Sequence, residues 1–218
     1  MTTIAPDKLE WLKTVRFGKG LGTPEHPCVE AALCLALGLP FSDSCPDCVD
    51  PMLHRAGIRV NDSWAWESDA ERTEVLMPLL LAQPGTRTDD AQVKAIRLAM
   101  VVDFATKRAV PAWLRLSKME KEALRCEALP SWSVEAKGEI RAAMREVRAA
   151  AYAAAYDAAD AAAGAAADAA AADAYDAADA AADAAAKRPL AKELLREFVG
   201  VLIAACRVQS SPSADRTP

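Results

Sequence analysis

Residues 149–186 read AAAYAAAYDAADAAAGAAADAAAADAYDAADAAADAAA. The 38 positions hold 27 Ala, 7 Asp, 3 Tyr and one Gly. Ala has the highest helix propensity and gives up no side-chain entropy, so this block sets the fold class toward helix. Its flanks continue the pattern, and Val134 to Lys187 reads as a single helix of 54 residues. At about 1.5 Å per residue it would extend roughly 80 Å. Gly164 is expected to bend it, because Gly inside a helix costs about 1 kcal/mol against Ala.

The block is internally periodic. Tyr156 to Ala163 recurs as Tyr175 to Ala182, 19 residues on, and Asp157, Asp168 and Asp179 are 11 residues apart. An 11-residue spacing is close to three helical turns, so those three share a face. At about 100° per residue, Asp157, Asp160, Asp168, Asp173, Asp176, Asp179 and Asp183 fall within an arc of roughly 220°. The rest of the surface is methyl groups. Such a face buries little area per residue but lets helix axes approach closely. It therefore needs a long partner, either another part of this chain or a second copy, and the seven Asp would border that interaction surface. A rod of carboxylates also suggests an acidic nucleic-acid mimic. Duplex DNA, at one charge per about 1.7 Å, is far more densely charged.

Toward the C-terminus, Leu190, Leu194, Leu195, Phe198, Val201, Leu202 and Ala205 form a stripe opposite Lys192, Glu193, Arg196 and Glu197. That is an amphipathic helix with a core-facing side. Residues 208–218 are rich in Ser and Pro and are expected to be a disordered tail.

Toward the N-terminus nearly every segment also reads as helix. Pro6 to Arg16 is broken by Gly18, Gly20 and Gly22, and Pro27 is placed to open the next helix, Cys28 to Leu37. That helix is apolar nearly all round, with Glu30 its one charge, so it should be buried. Residues 39–51 read as loop, and 54–66 give no clear pattern. Ser68 is placed as an N-cap with Glu71 at the capping-box position, and Pro78 should kink or end that helix. Asp89 or Asp90 caps a helix carrying Val93, Ile96, Met100 and Phe104. Pro111 opens a short piece, Ser117 caps another that runs to Leu129, and Ser133 caps the long one. The best strand fragments, Ile58–Val60 and Val101–Val102, are too short to count. The expected fold is all-α. Residues 1–130 form a helical domain with a Cys-containing loop. Residues 131–207 form the long Ala-rich helix plus a C-terminal helix on the same core.

The net charge of −5 is unevenly spread. Residues 1–148 carry 20 basic against 21 acidic side chains, the Ala block carries −7, and residues 187–218 carry 6 against 3. No broad basic surface exists, which argues against direct nucleic-acid binding. Met1 to Lys13 lacks the apolar run of a signal peptide. Outside the Ala block, the longest uninterrupted apolar stretch, Ala31–Leu37, is too short to span a bilayer, and the Ala block carries seven carboxylates. A soluble, cytoplasmic protein is expected, with its six Cys reduced.

Chemistry-bearing residues concentrate in one place. His26, Cys28, Cys45, Cys48 and His54 fall within 29 residues. Cys45-Pro46-Asp47-Cys48 is a C-x-x-C knuckle, a spacing that lets two thiolates reach one tetrahedral zinc, and His26-x-Cys28 would supply the other two ligands. The same thiols can instead be redox-active or plain core filler, as Cys34 and Cys126 are read to be. Glu30 and Asp43 are further candidates, although a carboxylate also suits the first helical turn or a loop cap. Asn61-Asp62 reads as a turn or cap pair. There is no phosphate loop, dinucleotide fingerprint, H-E-x-x-H or nucleophile motif.

Residues 11–130 resemble a family of uncharacterised helical, Ala-rich proteins of high-GC bacteria and their phages. The resemblance rests on Cys28-Val29-Glu30-Ala31, Pro40-Phe41-Ser42-Asp43 and Cys48-Val49-Asp50-Pro51. It continues through Asn61-Asp62, Gly85-Thr86 and Pro111-Ala112-Trp113-Leu114. In similar proteins the loop reads Ser-Asp-His-Pro-x-Cys. Here Ser42 to Cys48 is one residue longer, with Cys45 near the His position, an exchange a zinc site accepts. Some similar Ala-rich proteins are labelled toxin-immunity proteins. The resemblance implies architecture and candidate positions rather than an activity. The reading is a non-enzymatic helical protein-interaction module, of inhibitor type as in toxin immunity or phage counter-defence. The alternative is a small zinc- or thiol-dependent protein centred on Cys28, Glu30, Asp43 and Cys48.

Overall fold

The computed structural model describes residues 4–151 and 173–209 and is all-α apart from one two-residue-by-two-residue hairpin. The chain divides into two compact units, residues 1–101 with 192–218 and residues 102–191. The C-terminal amphipathic helix, from residue 192, belongs to the first unit. The reason is its apolar stripe. Leu194 is buried, and Val199, Leu202, Ala205 and Cys206 join the core of the N-terminal helices.

The first unit begins with α1 (Pro6–Leu12), then the hairpin β1 (Gly22–Thr23) and β2 (His26–Pro27). Helices α2 (Val29–Ala36), α3 (Pro51–Asn61) and α4 (Asp69–Ala82) follow, with the start of α5 (Ala91–Phe104). As its sequence requires, α2 is the hub: Val29, Ala31, Ala32 and Leu33 are fully enclosed, and so is Glu30. Around it Phe17, Leu53, Leu76, Leu79, Leu80 and Leu202 complete an interior with no accessible surface at those side chains. Full burial of such a side chain contributes about 1.5–3 kcal/mol relative to exposure.

The helix ends follow local chemistry. Ser68 Oγ accepts from Glu71 N at 3.1 Å, as expected, but Glu71 Oε2 accepts from Glu67 N rather than from the cap itself. Asp90 Oδ1 accepts from Gln92 N and Val93 N, which makes it the cap of α5. Pro27 does not open α2. It pairs with Gly22 in the hairpin, and Cys28 is the N-cap. Gly22 is obligatory, with φ +74° and an ideal Cβ that would lie 2.1 Å from the His26 carbonyl oxygen. Pro78 neither ends nor interrupts α4, which runs on to Ala82. The carbonyl deprived of its donor belongs to Glu74, and both residues are exposed, so water can satisfy it. Ile58–Val60 and Val101–Val102 are helical. Replacing Ser68 by Ala should cost about 1 kcal/mol in urea denaturation, the usual loss for an N-cap oxygen. An unchanged midpoint would mean that Glu71 alone holds the turn.

The second unit contains the end of α5 and a π-helical turn, Ala105–Ala109. It continues with α6 (Val110–Leu116), α7 (Glu120–Glu127) and α8, which begins at residue 137 and is described to 151. Its interior is small: Leu114, Ala123, Cys126 and Val147, with Val110, Met119 and Met144 against them. Ser117 ends α6 instead of capping α7, because Lys118 takes a left-handed φ of +58° and reverses the chain. Ser133 Oγ accepts from Ala136 N, as a cap before α8 should.

The last helix, α9, spans Asp173–Arg207 and passes through Pro189. Asp173, Asp176, Asp179 and Asp183 lie on it. Asp157, Asp160, Asp168 and the bend expected at Gly164 lie outside the described residues, as do positions 210–218 of the expected tail. Val208 is held, its carbonyl accepting from Arg97 Nη2 at 2.9 Å. No helix among the described residues is long and apolar enough to cross a membrane.

Candidate functional site

The segment between α2 and α3 builds the site. Gly38, at φ +74°, terminates α2 with Leu39 N donating to the Cys34 carbonyl at 2.9 Å. The chain then folds back over α2. Cys34 Sγ donates to the Ser44 carbonyl and Cys45 Sγ to those of Pro46 and Val49. Asp50 caps α3, accepting from Met52 N at 2.8 Å. On α3, His54 and Gly57 are three residues apart and so share the face turned toward Glu30.

Glu30 is fully buried. Its Oε1 accepts from Gln83 Nε2 at 2.8 Å, and its Oε2 lies 3.7 Å from His54 Nε2. Neither Oε2 nor Nε2 has a hydrogen-bond partner, and Gln83 Oε1 is likewise unpaired. Gly57 makes the approach possible, since a Cβ there would come within 2.1 Å of Glu30 Oε1. Burial pushes the Glu30 carboxyl up to about 8, only partly offset by the Gln83 hydrogen bond, and the Asp43 charge adds to the rise. Burial also lowers His54, opposed by a hydrogen bond to the Asp43 backbone and by the Asp43 charge. At neutral pH Glu30 is therefore a carboxylic acid and His54 a neutral imidazole. At 3.7 Å the two atoms face each other without a hydrogen bond, so both remain unpaired in the core.

Of the residues singled out in the sequence, Cys28, Glu30, Asp43 and His54 are gathered closely enough to influence one another electrostatically. His26 is elsewhere, exposed and paired with Asp69 at 3.1 Å. Cys28 Sγ is occupied as the α2 cap, accepting from Ala31 N. Cys45 and Cys48 instead line a cavity of about 510 Å³ with Cys34. His26, Cys28, Cys45 and Cys48 are thus not assembled as a ligand set. Among the described residues no group of three or more His, Cys, Asp or Glu is arranged to hold a metal ion.

Three of the thiols, Cys28, Cys34 and Cys45, are not activated. Burial raises Cys28 and Cys45, and pushes Cys34 up to about 11, so all three stay protonated at neutral pH. Asn61 proves to be a long-range cap: its Oδ1 accepts from Val29 N and its Nδ2 donates to the Gly18 carbonyl. Gln83 and Gly57 were not visible as site residues in the sequence. Gln83 stands out only as a polar residue closing an apolar run before Pro84-Gly85.

A second feature is open to solvent. Between α1 and α4 runs a groove of about 730 Å³ whose walls include Leu9, Leu12, Met77 and Leu81. Leu9 is 40% exposed and Leu81 47% exposed. Its charged margin is Glu10, Lys13, Arg16 and Glu74, two of each sign, with Lys13 on Glu10 at 2.6 Å. No family model, curated protein or solved structure matches the chain.

Proposed function

We propose that this chain is a helical protein-interaction module that receives the apolar face of a partner's amphipathic helix in the α1–α4 groove. The observation that carries this reading is the contrast between the two features above. The polar cluster around Glu30 is sealed and its neighbouring thiols are protonated, whereas the groove presents large apolar side chains to water. Exposed apolar surface gathered in one concave place marks a recognition surface more often than scattered side chains do. The balanced margin favours an uncharged, apolar stripe over a highly charged ligand. The 14 residues of α4, at about 1.5 Å each, offer a track of roughly 20 Å, enough for about four turns of a partner helix.

A photoreactive residue at position 81, introduced in cells that naturally make the protein, tests this. It should give one discrete adduct, and Leu9→Asp should lower its yield roughly tenfold, as loss of one buried Leu implies. The same probe at Leu124, exposed on α7 of the other unit, is the control. Equal labelling at both positions would overturn the proposal.

A further inference from the structure

We propose that the cavity between the start of α3 and the start of α5 binds a small phosphomonoester, its phosphate held by Arg55 and Arg87. The cavity measures about 480 Å³ and lies within the first unit. In a chain of net charge −5 it gathers Arg55, Arg87 and Lys94. The acidic groups there are already engaged. Asp50 pairs with the buried Arg97 at 3.0 Å, and Asp89 with Lys94 at 3.4 Å. Neither the Arg55 nor the Arg87 guanidinium has an ion-pair or hydrogen-bond partner among the described residues, and both residues are exposed. Two free guanidinium forks on one cavity match a phosphate's oxygens, which accept such pairs bidentately.

The walls are prepared for the ligand. Arg87 follows Thr86, whose hydroxyl donates to the Gln83 carbonyl and accepts from Asp50 N, and Arg87 N itself donates to the Cys48 carbonyl. Arg55 stands on the second turn of α3. Both cations are therefore mounted on fixed backbone, which lowers the ordering cost of binding. Met52 and Leu98 supply apolar surface for the organic part of the ligand. The cations surround a cavity and do not form a stripe, which favours a small phosphate ester over a nucleic-acid backbone.

Phenyl phosphate is a suitable probe, titrated into the full chain with backbone amide shifts recorded. Residues 52–55, 87–88 and 94 should shift saturably, and phenol at the same concentrations should leave them unmoved. Arg55→Met with Arg87→Met should weaken binding at least about tenfold with the melting temperature unchanged, since both side chains are exposed and unpaired. Arg59→Met, on an exposed position of α3 outside the cavity, should bind as the wild type does. Absence of saturable shifts, or equal weakening by Arg59→Met, would overturn the assignment.

Discussion

Arg97→Met should destabilise the protein by about 3–5 kcal/mol, the loss typical when one partner of a buried ion pair is removed. The side chain is 3% exposed and serves four groups. Its Nη1 donates to Asp50 Oδ2 at 3.0 Å and to the Thr86 carbonyl at 2.5 Å. Its Nε donates to the Ala205 carbonyl at 3.0 Å and its Nη2 to that of Val208 at 2.9 Å. One guanidinium thus ties the α3 cap, the turn after α4 and the end of α9 to α5. Methionine fills most of the space but leaves a buried carboxylate without its counter-ion and the Thr86 and Val208 carbonyls without the guanidinium donors, while Ala205 keeps only Val208 N. For a chain of this length the loss corresponds to a melting temperature lower by roughly 10 °C. Adding Asp50→Asn keeps the cap oxygen and removes the stranded charge, so the double variant should recover part of the loss. A single variant within about 1 kcal/mol of the wild type in urea would show that water replaces the guanidinium.

That knot also marks the boundary of what the sequence alone can disclose. Helical class, the burial of α2 and the caps at Ser68, Asp90 and Ser133 follow from interactions within a turn or two, so they are legible from spacing. Arg97 acts across 47 residues to Asp50 and 108 to Ala205, and nothing local distinguishes it from a surface arginine. Pro27 misleads for a related reason. Its fixed φ suits a helix start and an edge strand equally, and the close approach of Gly22 to His26 decides between them. In the candidate site, Glu30 is conspicuous because it interrupts an apolar helix. Its partner Gln83 lies 53 residues away, and nothing local to His54 shows that it faces Glu30. The C-x-x-C spacing is present, but spacing fixes only the reach of two thiols, whereas a metal site also needs the third and fourth ligands to converge. His26 instead meets Asp69, the first residue of α4.

The Glu30–His54 pair makes stability depend on pH in an unusual direction. Glu30 rises from 4.5 to about 8 on folding, so its contribution is complete below pH 4.5 and is lost as pH climbs through 8. His54 is depressed below 6.5, so its contribution is present above 6.5 and is lost as pH falls toward its folded value. Just below pH 6.5 the folded pair and the unfolded pair each hold one proton, and the two slopes cancel. Above 6.5 the unfolded pair holds none while the folded pair keeps its proton on Glu30. Stability should then fall with a limiting slope of about 1.4 kcal/mol per pH unit, or by a little over ~1 kcal/mol between pH 6.5 and 8, where each titration is half complete at one end. Glu30→Gln removes the titrating acid at nearly constant volume. Its stability should stay level over that alkaline window and decline instead below pH 6.5, where His54 alone remains. Urea midpoints at pH 5.5, 6.5 and 8 distinguish the two profiles. Parallel curves for wild type and variant would mean that Glu30 is ionised in the folded core, and the description of the site as a buried neutral acid would fail with it.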